Sequence, residues 1–240
     1  MRFSPGCRVI DAVALLLLGG AAVAQDVVEV PTPSSPTAVT PDDPAVPAPT
    51  ERPRDAAALF AAFAEMKGME ARFEEEKHLA LLAAPLESAG RLHFLAPGYL
   101  ARVVERPTRS AVRITPTELR VEGEDGVERI DLRQSDDVRV FVTSLVSVFR
   151  GDEAALRESY RVTFTPGEDA TTWTLTLEPE RPPLTKLMKS LTLAGDGRRV
   201  RSIEVVEPNG DRTITRIVEA DVTRVYTDAE KERLFGIDPD

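Results

Sequence analysis

Residues 194–218, AGDGRRVRSIEVVEPNGDRTITRIV, carry two turn signals and the extended runs that they join. Gly195-Asp196-Gly197 links a run around 190–193 to one over 200–206. Pro208-Asn209-Gly210-Asp211 then sends the chain back along 213–218. In both runs apolar and polar residues alternate with the period of a strand that has one face buried. Asn-Gly between two such runs supplies the positive φ angles that a tight hairpin demands. The closing part of this chain is therefore antiparallel β.

Working outward, the same alternation recurs upstream. Phe73 follows Ala71 across Arg72, Phe94 follows Leu92 across His93, and Ile114 follows Val112 across Arg113. Leu119 and Val121 flank Arg120, and the glycines at 123 and 126 turn that strand into residues 127–132. Tyr160, Val162 and Phe164 form one later set, and Trp173, Leu175 and Leu177 another. Two stretches change period. Asp55 precedes an Ala-rich run that Gly68 stops. Residues 135–150 place Val138, Phe141, Val142, Leu145, Val148 and Phe149 at spacings of three and four before Gly151. Asp152 caps a second short helix to about Glu158, and residues 184–188 suit a single helical turn. Ten or eleven short strands without βαβ alternation predict a mainly β (α+β) fold. The expected form is an open, strongly curved antiparallel half-barrel with helices covering its concave face.

The N-terminal residues bound where such a domain works. Arg2 and Arg8 precede the apolar residues 12–23, AVALLLLGGAAV, which end at Ala22-Val23-Ala24. That is the layout of a cleaved signal peptide, 1–24, and its apolar run is shorter than the ~20 residues needed to span a bilayer. Cys7 is the only cysteine and lies within it, so the exported chain has no disulfide or thiolate chemistry. Residues 25–54 hold eight prolines among Thr, Ser, Ala and Asp and read as a disordered tether. The folded domain is then 55–240. Without the leader the formal charge is one unit more negative than the full chain's −10, which argues against nucleic acid as a partner.

Catalytic and metal chemistry find no foothold. His78 and His93 are the only histidines, and neither belongs to a metal-binding spacing. Glu74, Glu75, Glu76 and His78 cluster, but strand alternation sets Glu75 apart from the others, so the group is expected to be a solvated edge. Ser144 and Ser147 sit in a helical stretch without a neighbouring base, and no phosphate loop occurs. Arg198, Arg199 and Arg201 read as a solvated patch. No catalytic residue, metal or cofactor is expected, and the protein is not expected to be an enzyme.

Three segments resemble the LolA family of periplasmic lipoprotein carriers. Residues 60–77, FAAFAEMKGMEARFEEEK, are similar to its opening helix and first strand. Residues 85–107, PLESAGRLHFLAPGYLARVVERP, are similar to its next hairpin, and 194–218 to its closing hairpins. The resemblance implies a monomeric carrier in the periplasm that shields the acyl chains of a lipoprotein, a glycolipid or another lipidated cargo. It also implies an inner-membrane donor complex and an outer-membrane acceptor. The expected acyl cavity is lined by Phe73, Leu92, Phe94, Leu100, Phe141, Leu145, Phe149, Trp173, Leu187 and Met188. The family's gating arginine, just before the turn proline, is replaced here by Ala96, and Arg102 is the candidate to serve in its stead. The alternative is a lipid-sensing interaction domain of an envelope regulator, which uses a similar scaffold. A lipid-directed enzyme is the third reading and would need a polar nucleophile in the cavity.

Overall fold

The computed structural model describes residues 53–168 and 171–238. The expected signal peptide and all but the last two residues of the tether lie outside them, and Pro53 is already buried. Helix α1 (Ala56–Ala64) starts where the Asp55 side chain accepts the Ala58 N–H at 2.8 Å, and it buries Ala56, Leu59, Phe60 and Phe63. Six strands follow: β1 (Gly68–His78), β2 (Leu86–Leu95), β3 (Tyr99–Arg106), β4 (Ser110–Ile114), β5 (Glu118–Gly123) and β6 (Gly126–Asp131). Helices α2 (Asp136–Arg150) and α3 (Glu153–Arg157) interrupt them. Strands β7 (Tyr160–Pro166) and β8 (Thr172–Pro179), the single turn α4 (Leu184–Leu187), and β9 (Ser190–Asp196), β10 (Arg199–Val206) and β11 (Arg212–Asp221) come next. Helix α5 (Asp228–Phe235) closes the order.

All eleven strands form one antiparallel sheet in the order β6-β5-β4-β3-β2-β1-β11-β10-β9-β8-β7. Every neighbour is a sequence neighbour except β1 and β11, which meet at the centre through pairs such as Phe73 with Ile217 and Glu75 with Thr215. Two consequences follow from this order. The edges β6 and β7 are successive in the chain, so the segment carrying α2 and α3 has to cross the full width of the sheet on one face. Flat, ten strand spacings would span about 48 Å. Yet Leu119 on β5 and Leu177 on β8 belong to one buried cluster with Phe60, Phe141 and Val142 of the helices. The sheet therefore curls around α1 and α2, as the alternation led us to expect.

Gly151 is where the helix layer depends on a single residue. It ends α2 in the left-handed conformation (φ 65°), and its N–H reaches the Ser147 and Val148 carbonyls. A Cβ there would also stand 2.0 Å from the Phe60 carbonyl oxygen, so α1 and α2 can approach this closely only over a glycine.

The convex side holds an element absent from the sequence reading. Thr227 and Glu230 form a reciprocal capping box that starts α5, and Gly236 ends the helix at φ 68°. Tyr226 and Phe235 cover Ala101, with Leu95 and Tyr99 at the margin. Ala101 lies between Leu100 and Arg102, which face inward, so this small cluster sits on the outer face of β2 and β3. Among the described residues no helix is long and apolar enough to cross a membrane.

Candidate acyl-binding cavity

Alternation decides what points inward. On β1 these are Met69, Ala71, Phe73 and Glu75, and on β2 Ser88, Gly90, Leu92 and Phe94, matched across the ladder. On β10 and β11 the pattern is re-phased by irregularities, between Val200 and Ser202 and opposite Arg72–Phe73. The extra residue on β10 lets Val200 and Ile203 both turn to the interior, an effect typical of a bulge.

Between this wall and the ends of α1 and α2 the interior is hollow. A cavity of about 780 Å³ is bounded by Phe63 and Met66 from the first helix region, Val148 and Phe149 from α2, and Met69, Ala71, Leu92, Leu193, Ile203 and Ile217 from the sheet. Its volume lies within the range of sites for extended small ligands, ~300–1,000 Å³. A second hollow of about 70 Å³ lies deeper, under Leu145, and shares Leu92, Val148, Phe149 and Ile217 with the first.

The deep hollow contains a buried ion pair on the inner wall. Arg102 donates from Nη2 to Glu75 Oε1 at 2.7 Å, and both side chains are almost fully buried. Thr215 donates to the other oxygen at 2.7 Å, Ser88 adds a bond at 3.2 Å, and the Arg102 guanidinium stands 4.6 Å from the centre of the Phe73 ring. Four adjacent strands, β11, β1, β2 and β3, are tied at this point. Glu75 was expected on a solvated edge; instead the same alternation that separates it from Glu74 and Glu76 drives it into the interior, where an arginine and two hydroxyls satisfy it.

The predicted lining residues divide. Phe73, Leu100 and Leu145 border the small hollow, and Leu92 and Phe149 border both. Phe94 stacks behind Phe149 at 5.7 Å, and Phe141 is fully buried in the core. Trp173 supports the cavity from outside its wall: Nε1 donates to the Gly197 carbonyl at 2.8 Å, and its ring meets Phe63 edge-on. The ring needs Gly195, since a Cβ there would fall 2.2 Å from it. Leu187 packs at the core margin and Met188 is buried, both outside the cavity wall. Met66, Met69, Ile203 and Ile217 were missed. Alternation with Ala71 and Phe73 could have found Met69, whereas Met66 lies in the link between α1 and β1, and the irregular registers on β10 and β11 obscured the alternation near Ile203 and Ile217.

The mouth is polar. Arg198, Arg199 and Arg201 of the β9–β10 hairpin border it together with Asp196, Glu65, Thr171 and Thr223. Arg198, expected in a solvated patch, instead reaches across to α1, donating to the Ala62 carbonyl at 3.0 Å and pairing with Glu65. Arg102, expected at the gate, borders the deep hollow, and the mouth arginine that bonds a helix carbonyl is Arg198. His93, on the outer face, bonds Tyr226 at 3.2 Å, and burial pushes its pKa down. Burial also raises the Tyr226 hydroxyl, which donates to the Met69 carbonyl.

No curated protein sequence matches the chain. Among solved structures, a domain assigned to outer membrane lipoprotein sorting from Vibrio parahaemolyticus shares 13% identity, with 74% of this chain and 95% of that one covered and a TM-score of 0.42. A LolA superfamily protein from Nitrosomonas europaea shares 11% over 73% and 96%, at 0.39. The MucA/MucB complex of Pseudomonas aeruginosa shares 12% over 73% and 62%, at 0.42. The family model for outer membrane lipoprotein carrier protein LolA-like matches residues 48–234. The chain belongs to the LolA-like family of outer membrane lipoprotein carrier proteins.

Proposed function

We propose that the protein is a periplasmic carrier that holds the acyl chains of a lipoprotein, or of another lipidated cargo, in the apolar cavity and conveys it toward the outer membrane. The observation that carries this reading is the hollow itself. A sheet and two helices that share one buried core leave about 780 Å³ open between them, walled largely by apolar side chains. Each methylene moved from water into such a space contributes ~0.8 kcal/mol, so a dozen contribute about 10 kcal/mol before the cost of ordering the chain. No hydrogen bond is needed for tight binding, which suits a carrier that must accept varied cargo. It works as a monomer, takes cargo from an inner-membrane donor, gives it to an outer-membrane acceptor, and performs no covalent chemistry.

Native mass spectrometry of the protein isolated from the periplasm is expected to show bound acylated species. Uptake of a fluorescent acyl probe supplies the second test. Ala71→Phe fills the cavity from β1 and is expected to abolish uptake while the melting temperature holds. Leu145→Glu sets an unpaired carboxylate in the deep hollow and is expected to weaken uptake in protein that still folds. Unchanged uptake in both folded variants would overturn the carrier reading. A protein that binds lipid but never releases it to acceptor vesicles would instead act as a sensor.

A further inference from the structure

The mouth of the cavity is chemically unlike its interior, and the difference has a direction. In a chain of net charge −10, three arginines fall within four residues, and all three border the opening. The carboxylates that border it are Glu65 and Asp196. Glu65 is held by Arg198, which is also bonded to the end of α1. Asp196 stands 3.6 Å from Arg201 in a loose pair whose side chains are 41% and 55% exposed. Arg199 has no carboxylate within 4.0 Å among the described residues. Guanidinium capacity therefore exceeds the carboxylates present. Behind the arginines the wall turns apolar at once, with Val200 and Ile203 facing the cavity past the irregular register on β10.

We propose that Arg199 and Arg201 bind the anionic headgroup, a phosphate or a carboxylate, of a lipid whose acyl chain fills the cavity. The proposal rests on the acyl-binding reading above and narrows it: the preferred ligand is an acidic amphiphile, inserted tail first. A guanidinium fork offers two parallel N–H donors to two oxygens of one anion, a match that a neutral glyceride headgroup lacks. Arg198 keeps its bonds to α1 and positions the hairpin that presents the other two. The Thr171 hydroxyl at the same rim supplies a further donor.

Displacement of a fluorescent acyl probe by competitors with one common chain tests this directly. A lysophosphatidic acid and a free fatty acid carry the anion, and the matching monoacylglycerol does not. Both anionic competitors are expected to displace the probe at concentrations about tenfold or more below the neutral one, a gap equal to ~1.4 kcal/mol. High salt is expected to narrow the gap. Arg199→Gln/Arg201→Gln is expected to close it while leaving monoacylglycerol displacement unchanged. Arg199→Gln alone, which breaks no ion pair, is expected to narrow it and guards against a folding defect in the double variant. Equal displacement by all three competitors in the wild type, or a gap that survives the double substitution, would overturn the proposal. Inorganic phosphate binding as tightly as lysophosphatidic acid would assign the mouth to a free anion and overturn the lipid assignment. Failure of the probe and every competitor to bind would instead refute the acyl cavity itself.

Discussion

Strands β1, β2 and β3 present two faces made by the same alternating residues, and the two are finished in opposite ways. Inward, Met69, Ala71 and Leu92 border open space, with the Glu75–Arg102 pair below them. Outward, His93 and Ala101 are sealed by Tyr226 and Phe235, which meet edge-on at 5.1 Å, and the covering helix is fastened by a capping box. The sealed face contributes stability at the place where the hollow face gives it up, because unfilled volume costs dispersion contacts. Substitutions on the two faces should therefore separate stability from binding.

The largest separation is expected for Phe235→Ala. Removing a fully buried ring costs ~3–5 kcal/mol, or roughly 6–20 °C in melting temperature for a domain of this size. Acyl-probe affinity of the protein that remains folded is expected to be unchanged. A parallel loss of affinity would show that the faces are coupled.

On the other face, Arg102→Met strands Glu75 in the interior and is expected to cost about 3–5 kcal/mol in urea unfolding. Glu75→Leu/Arg102→Met removes both charges and is expected to regain most of that stability while strengthening probe binding in the enlarged apolar hollow. A double variant as unstable as the single one would mean that the pair itself supports the four strands.

A smaller effect is expected for Tyr226→Phe, which deletes the hydroxyl bonded to the Met69 carbonyl. A net loss of ~1 kcal/mol, about 2–4 °C, should appear in thermal melts with uptake unaltered.

The smallest effect concerns pH. Burial is the main cause that holds His93 below its ordinary value, opposed by Glu70 and reinforced by Arg91, Arg224 and Arg233. The unfolded chain then binds a proton that the folded chain refuses. Stability should fall as pH drops through ~6.5 toward the lower folded value and level off below it. His93→Asn should flatten that slope in melts recorded across this range, leaving uptake as it was.

Much of this architecture was legible in the chain. Phe73, Leu92 and Phe94 announced their strands by alternation, and Asp55, Gly151 and Asp152 marked helix ends through capping chemistry that is local by nature. Helix α5 carried an equally local signal in Thr227 and Glu230, but its polar composition and brief apolar face left it unnoticed. The site was less legible. Phe94, Phe141 and Trp173 share the pattern of true lining residues yet lie behind the wall, whereas Val200 lines it because an irregular register on β10 brings it to the same face as Ile203.

By itself the sequence determined a curved antiparallel sheet of short strands and the helices that cover its concave face. Those properties follow from period, turn chemistry and caps, all set within a few residues. Only the tertiary structure decided that the buried face is hollow near Ala71, that Glu75 meets Arg102 across β2, and that three arginines ring the opening. Volume and charge pairing depend on what stands opposite a side chain, and here the opposite residue comes from another strand or from a helix distant in the chain.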